Sequence, residues 1–221
     1  MSQRIVITGL GCVTPLGYDV ETLWSSLLAG KAGAGPTRRF DAETFPTSFS
    51  SQVPADYDVN ELLPEADREL HAGIGINTAF ALGAMMQAWR QSELEAFGGL
   101  DRERLGIYLG SGEGSLDFDN YVAANLAGYD EENRELDAGE WIKVARERMS
   151  AQREIEQEPN MPLAHIAMQV QAQGPAYNCL TACAASTQAI GEATEILRRG
   201  DADVMIAGGA HSMIHPLGVT G

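Results

Sequence analysis

The sequence has few cysteines and few basic residues, and both shortages narrow the possible functions. Its 3 cysteines, among 221 residues, stand at positions 12, 179 and 183. This number and spacing fit neither a disulfide framework nor a zinc site, so reduced thiols and a cytoplasmic location are expected. Acidic residues outnumber basic ones by 31 to 15, for a net charge of -16. Such a charge argues against nucleic acid and against an anionic membrane surface as partners.

The sequence also lacks a membrane span and a complete nucleotide-binding motif. Its longest apolar stretch, residues 72–89, is interrupted by polar residues and is short for a span. The N-terminus has no clear cleavage signature, so no signal peptide is predicted. Gly9 and Gly11 are not followed by the third glycine of a dinucleotide loop, and no lysine follows the glycine-rich loop 110–114. Neither a cofactor nor a metal ion is expected.

The hydrophobic pattern predicts an α/β protein with buried sheets. Apolar runs typical of buried strands lie at residues 4–8, 104–109, 177–180 and 203–207. Helical periodicity lies at residues 20–28, 67–96 and 161–171, and residues 29–60 are rich in loop formers. The last two strands are expected to be parallel, joined by a right-handed crossover.

A strongly charged segment at about 115–159 interrupts this pattern. We predict two helices in it, with a turn near Gly128. Its acidic run and its later arginines favour a solvated cap over a functional element.

Residues 177–200 predict a strand, a tight corner and a helix. Thr181 is the predicted N-cap, which places Cys183 in the first helical turn. A helix N-terminus stabilises an anion by up to about 2 kcal/mol, and its free N–H groups can form an oxyanion hole. Position alone leaves a nucleophilic cysteine and a buried structural cysteine equally plausible.

Several segments of the chain resemble the β-ketoacyl-[acyl carrier protein] synthases, most closely the elongating, KAS II-like type. The resemblance is strongest at Thr181-Ala182-Cys183-Ala184-Ala185-Ser186 and at the segment 200–210. Further matching segments stand in the family's order at residues 5–11, 15–17, 24, 28–30, 110–112, 160–162 and 216–219. So many matches in one order make the resemblance specific.

The resemblance implies a thiolase-like fold with α-β-α-β-α layers, of which residues 1–221 supply the first half. It implies a decarboxylating Claisen condensation in fatty acid or polyketide synthesis. Cys183 would be the acyl-thioester nucleophile, and its backbone N–H one oxyanion donor. The second half of the family's fold carries two catalytic histidines, a lysine and a glycine-rich turn, and none of these is in the sequence.

This absence implies that the chain alone is an inactive acyltransferase. The expected partners are an acyl carrier protein with acyl or malonyl thioesters, and a complementary C-terminal half or second subunit that carries the histidines. A homodimer or heterodimer is expected, and the uncovered half-fold would expose large apolar faces.

The histidines of the chain do not replace the missing ones. His71 and His165 lie on predicted helices, where a structural role is expected. His211 and His215 follow the last strand, and neither stands in the family's His-Gly-Thr context. No catalytic role is predicted for any of the four.

Two features depart from the family's pattern. Glu113 occupies the acyl-pocket gate position, where relatives often have an aliphatic residue, and this argues against a long saturated acyl substrate. In the stretch 64–69, where relatives present basic residues to the acidic carrier protein, only Arg68 is basic. The pairs Arg146/Arg148 or Arg198/Arg199 could compensate.

Two other functions remain open. A non-catalytic partner, similar to the chain-length-factor subunits of ketosynthase heterodimers, would share the fold but usually lacks the cysteine. A degradative thiolase would use coenzyme A, although residues 181–184 are closer to the synthases.

Overall fold

A computed structural model describes residues 4–114 and 116–220 of the chain. The helices, in chain order, are α1 (Val20–Leu28), α2 (Ile76–Ser92), α3 (Phe118–Gly128), α4 (Ala138–Arg148), α5 (Ala151–Glu156), α6 (Met161–Val170) and α7 (Ala185–Arg199). The strands are β1 (Ala34–Pro36), β2 (Phe49–Ser51), β3 (Leu105–Ser111), β4 (Tyr129–Asp130), β5 (Glu135–Leu136), β6 (Ala176–Cys179) and β7 (Val204–Ala210). Among the described residues, no helix has the length and hydrophobicity needed to cross a bilayer.

A parallel three-stranded sheet with the order β6-β3-β7 forms the centre of the fold. β3 pairs along its length with β7, from Leu105↔Val204 to Ser111↔Ala210. At the start of these two strands the Arg104 guanidinium donates to both carboxylate oxygens of Asp203, each at 2.7 Å. The predicted parallel orientation of the last two strands is confirmed, with β3 lying between them.

The two faces of the sheet pack against different helices. Leu105, Ile107 and Leu109 of β3 lie in one core with α2 and α6. Tyr108 points to the opposite face, where it packs against the start of α7. This alternation is what a strand covered on both faces requires, and it gives three layers in the order helix, sheet, helix.

Five of the predicted elements agree with the structure to within three residues at each end. The helix predicted at 20–28 is α1, and the one at 161–171 is α6. The strands predicted at 104–109, 177–180 and 203–207 are β3, β6 and β7.

The strand predicted at residues 4–8 is wrong. This segment forms no ladder, and Val6 and Ile7 are 58% and 78% exposed. The two glycines that follow it allow a close approach to α2, since a Cβ at Gly9 would lie 2.0 Å from the Ala88 carbonyl oxygen. Residues 9–12 therefore run along α2, where the backbone N–H groups of Leu10 and Cys12 donate to the side-chain oxygens of Gln91 and Gln87.

The helix predicted at 67–96 is also wrong at both ends. Residues 65–71 form a 3₁₀ helix, and α2 begins only at Ile76 and ends at Ser92. Gly73 lies between the two with φ +76°, a left-handed conformation that interrupts a right-handed helix.

The sequence predicted two helices in the charged insertion. Its described residues form three, α3, α4 and α5. Gly128 ends α3 as expected, and a short β4–β5 hairpin leads to α4. The Trp141 indole N–H donates to Asn125 Oδ1 at 2.9 Å and ties α4 to α3. Leu126 and Leu136 are 71% and 60% exposed, so the insertion presents apolar as well as charged surface.

Large apolar side chains are exposed elsewhere too. Trp24 and Leu28 on α1 are 62% and 71% exposed, and Ile190 on α7 is 51% exposed. Patches of this kind usually mark surfaces that contact another polypeptide segment.

His71 and His165 form a buried hydrogen-bonded chain that joins three elements. His165 Nε2 lies 2.9 Å from Glu156 Oε1, and the two Nδ1 atoms lie 2.9 Å apart. His71 Nε2 lies 2.7 Å from Gln169 Oε1, and the Gln169 amide nitrogen donates to Asp67 Oδ2 at 2.8 Å. The chain connects α5 to α6 and to the 3₁₀ helix 65–71, a structural role like the one that the sequence predicted.

The hydrogen bonds determine the tautomer of His71. Burial, together with the charge of the adjacent His165, lowers the pKa of His71, so this ring is neutral. The Gln169 amide oxygen only accepts, so the His71 proton lies on Nε2, and His71 Nδ1 accepts from the Nδ1–H of His165.

We expect the stability of the fold to decrease as the pH falls below about 6.5, the ordinary pKa of histidine. The unfolded chain takes up a proton at His71 there, whereas the folded chain, with its lowered His71 pKa, does not. This one group can lower the free energy of unfolding by at most about 1.4 kcal/mol per pH unit. Urea denaturation between pH 5 and 8 measures the effect.

In His71→Asn the amide oxygen can replace Nδ1 as acceptor, and this part of the pH dependence should disappear. His215→Asn replaces a histidine outside the buried chain and should keep the wild-type dependence. Indistinguishable pH profiles for wild type and His71→Asn would contradict the interpretation.

Candidate active site

Cys183 lies at a sharp corner between β6 and α7. Leu180 and Thr181 leave the strand, residues 182–184 form one 3₁₀ turn, and α7 begins at Ala185. Ala182 has φ +50°, a left-handed conformation that costs a residue with a Cβ roughly 1–2 kcal/mol. The corner therefore stores backbone strain next to the thiol, and strain of this kind is concentrated at functional sites.

The sequence analysis placed the start of the helix one turn too early, so that Cys183 fell within its first turn. The cysteine lies in the 3₁₀ turn before α7, and Thr181 makes no side-chain cap hydrogen bond. Ala184 is the N-cap of α7 and has no side-chain acceptor, so no side chain caps the first N–H groups of the helix. Within the described residues the Cys183 amide itself has no backbone acceptor. The thiol thus lies beside one N–H donor without a backbone acceptor, its own, as an oxyanion hole requires.

The three cysteines differ in accessibility. Cys183 is exposed, Cys179 is buried and Cys12 is half-buried, and all three are free thiols. The Cys179 thiol donates to the Ala185 carbonyl at 3.3 Å, directly beneath the corner. Burial and then the charge of Asp19 raise the pKa of Cys12. Of the three, Cys183 is the accessible thiol, and the alternative of a buried structural cysteine does not hold for it.

Two glycines let α7 begin directly on the sheet. A Cβ at Gly110 would lie 2.3 Å from the Ala185 carbonyl carbon and 2.5 Å from the Ser186 nitrogen. A Cβ at Gly209 would lie 3.0 Å from Ser186 Cβ. The backbone of α7 therefore occupies the volume that side chains on β3 and β7 would need.

The Asn178 side chain links the strand before the corner to its surroundings. Its Oδ1 accepts from the Ser111 hydroxyl at 2.9 Å, and its Nδ2 donates to the Pro159 carbonyl at 3.2 Å. Asn178 therefore joins β6 to the end of β3 and to the last residue of the charged insertion.

The structure brings Glu113 and Cys183 into one pocket of about 510 Å³. It also adds a residue that the sequence analysis set aside. His211 lines the same pocket, and its Nε2 lies 3.5 Å from Glu113 Oε2. The register Ser111↔Ala210 brings these two residues together, and only a prediction of the β3–β7 pairing could have found the contact.

The arginines proposed for carrier-protein docking are partly engaged within the chain. Arg198 pairs with Glu195, and Arg199 Nε lies 2.8 Å from Asp201 Oδ2. Arg146 and Arg148 lie in the last turn of α4. Within the described residues, no group of three or more histidine, cysteine or acidic side chains is arranged to hold a metal ion.

Comparison with known proteins gives a family match over nearly the whole chain. The model of the family "Beta-ketoacyl synthase, N-terminal domain" matches residues 2–221. The chain belongs to the β-ketoacyl synthase family. The 3-oxoacyl-[acyl-carrier-protein] synthase 2 of Coxiella burnetii is 34% identical over 221 residues, covering 99% of this chain and 48% of that protein. The chain thus spans about half the length of this β-ketoacyl synthase relative.

Solved ketosynthases share the fold. The ishigamide ketosynthase/chain length factor superposes with a TM-score of 0.71 at 24% identity, over 96% of this chain and 48% of that one. A type II polyketide ketosynthase in complex with its acyl-carrier protein gives 0.73 at 22% identity, over 99% and 53% of the two chains. The predicted α/β, thiolase-like class is confirmed.

We expect Gly110→Ala to displace the start of α7, because the new methyl group would meet the backbone of residues 185 and 186. The free energy of unfolding should fall by about 1–3 kcal/mol. Alkylation of Cys183 by iodoacetamide, followed by mass spectrometry, should become several-fold slower, since the corner moves with the helix.

Gly208→Ala is the matched control, because a Cβ at Gly208 meets nothing within 4 Å. Its stability should stay within about 1 kcal/mol of wild type, with unchanged alkylation. If the two alanine variants behaved alike, the close-contact explanation would be refuted.

Proposed function

We propose that residues 1–221 are the N-terminal domain of a β-ketoacyl-[acyl carrier protein] synthase, with the charged insertion at about 115–159, and that Cys183 accepts the acyl group. The Cys183 thiolate attacks the carbonyl carbon of an acyl thioester on the carrier protein. A new carbon–sulfur bond forms at Cys183, the bond to the carrier's thiol breaks, and that thiol leaves with the proton that Cys183 gave up.

The observation that carries the proposal is the exposed Cys183 thiol beside an amide without a backbone acceptor. In the tetrahedral intermediate the carbonyl oxygen becomes an anion, which this N–H can stabilise. Removing one donor of this kind typically costs about 2.7–4 kcal/mol of transition-state stabilisation.

The condensation step needs groups from outside this chain. Of its histidines, His71 and His165 hold the buried network and only His211 reaches the Cys183 pocket. We therefore propose that the chain alone transfers no acyl group to malonate. A C-terminal half or second subunit would supply the catalytic histidines and cover the exposed side chains of α1 and α7.

An acyl carrier protein is the proposed thioester donor, and the assembly is proposed to be a homodimer or heterodimer. The complex of a type II ketosynthase with its acyl-carrier protein supports this choice of partner. We propose a cytoplasmic enzyme that uses no cofactor, metal ion or nucleic acid. The three free thiols and the net charge of -16 are compatible with that location and partner set.

A second function is a non-catalytic subunit that shapes the acyl pocket of a ketosynthase heterodimer. The observation in its favour is Glu113, a carboxylate at the gate of the Cys183 pocket. The exposed cysteine argues for the catalytic role, because a pocket-shaping subunit needs no nucleophile.

We expect Cys183, in the assembled synthase of this chain with the polypeptide that supplies its second half, to be acylated by a short acyl carrier protein thioester. Intact-mass and peptide mass spectrometry would show the added acyl group on Cys183. Cys183→Ala should abolish the adduct, because neither remaining thiol is exposed.

Cys12→Ser should leave the acylation unchanged and serves as the thiol control. Iodoacetamide should label Cys183 faster than Cys12, whose pKa is raised by burial, and faster than the buried Cys179. Slow, equal labelling of all three thiols without any acyl adduct would favour the pocket-shaping subunit.

A further inference from the structure

A carboxylate and an imidazole share the pocket of the Cys183 thiol. Glu113 lies on the loop that follows β3, and His211 follows directly after β7. Because β3 and β7 are parallel neighbours, both loops leave the same edge of the sheet. His211 Nε2 lies 3.5 Å from Glu113 Oε2.

Close packing and one hydrogen bond hold the two residues in place. A Cβ at Gly112 would lie 2.4–2.6 Å from three atoms of the His211 ring, so the ring rests on the Gly112 backbone. The Glu113 carbonyl accepts a hydrogen bond from Asn77 Nδ2, in the first turn of α2, at 3.1 Å. The backbone of the loop after β3 thus holds the His211 ring and is itself tied to α2.

The side chains themselves remain open to the pocket. Glu113 is 57% and His211 31% exposed, and exposed pairs of this type add little to stability. The rest of the lining is largely small or apolar, with Ala182, Ala210 and Met213 among it. Glu113 and His211 therefore provide the charged end of a pocket that otherwise suits an acyl group.

The chemistry of the pair selects a particular acyl group. A saturated chain would remove water from the carboxylate and offer no hydrogen bond in return, which is costly. A hydroxyl group donates to a carboxylate and accepts from an imidazole N–H, so it matches both residues. An ammonium group matches only Glu113, because it cannot accept from the imidazole.

We propose that Glu113 and His211 determine the acyl specificity of the Cys183 pocket, and that the pocket accepts short hydroxyacyl thioesters in preference to saturated ones of the same length. This inference rests on the proposed function, in which Cys183 is the acyl acceptor. The hydroxyl group takes no part in bond formation, and only the carbon–sulfur exchange at Cys183 occurs.

The test compares rates of Cys183 acylation in the assembled synthase by intact-mass spectrometry. Butyryl, 3-hydroxybutyryl and 4-hydroxybutyryl pantetheine thioesters serve as probes of equal chain length. We expect at least one hydroxyacyl probe to react about tenfold faster than the butyryl probe with wild type. In Glu113→Leu this preference should reverse, because the acceptor is replaced by an apolar side chain of similar size.

Two further variants separate specificity from damage to the fold. His211→Leu should weaken the hydroxyacyl preference by removing the imidazole donor. Glu195→Leu, which removes an exposed carboxylate of α7 that does not line the pocket, should keep the wild-type preference. Unchanged iodoacetamide labelling of Cys183 in each variant shows that the corner is intact.

The possible outcomes are distinguishable. A wild-type preference for the butyryl probe, or an unchanged preference in Glu113→Leu with intact labelling, overturns the assignment of specificity while leaving Cys183 as the acyl acceptor. Failure of every probe to acylate wild type, with normal iodoacetamide labelling, refutes the proposed function and this inference with it.

Discussion

The contact between the start of α7 and the backbones of β3 and β7 is the constraint on which the candidate site depends. Gly110 and Gly209 leave no side chain in the way, so the helix begins directly on the sheet. Beneath the corner, the buried Cys179 thiol donates to the Ala185 carbonyl. A helix so placed fixes the corner in which the Cys183 N–H has no backbone acceptor, whereas a helix held further out by methyl groups would move that corner.

The parallel pairing of β3 with β7 brings the other pocket residues to this corner. Parallel neighbours end at the same edge of a sheet, where ligand sites of α/β proteins commonly form. One ladder therefore determines both the position of the helix that follows Cys183 and the positions of the loops that carry Glu113 and His211. The β3–β7 pairing thus places both the nucleophile and the residues Glu113 and His211 of its pocket.

The sequence predicted the structural elements that depend on interactions between residues close together in the chain. Asp19 caps α1 through the Thr22 amide, and such a cap marks a helix start in the sequence itself. The segment 4–8 has the composition of a strand, but pairing depends on a partner edge far along the chain. The left-handed conformation of Ala182 could not be predicted from its residue type, because alanine rarely adopts φ +50°. The contact of His71 with His165 joins residues 94 positions apart and follows from tertiary packing alone.

The Asn178 amide has a mechanical consequence for the corner. Its two hydrogen bonds connect β6, the strand that leads to Cys183, with Ser111 and with Pro159 at the base of the charged insertion. Glu156 of the same insertion makes a second link, because its carboxylate accepts from the Gly75 N–H and contacts His165. A macromolecule bound to the outer helices of the insertion would therefore act on a segment that is hydrogen-bonded both to the strand before the nucleophile and to the buried histidines.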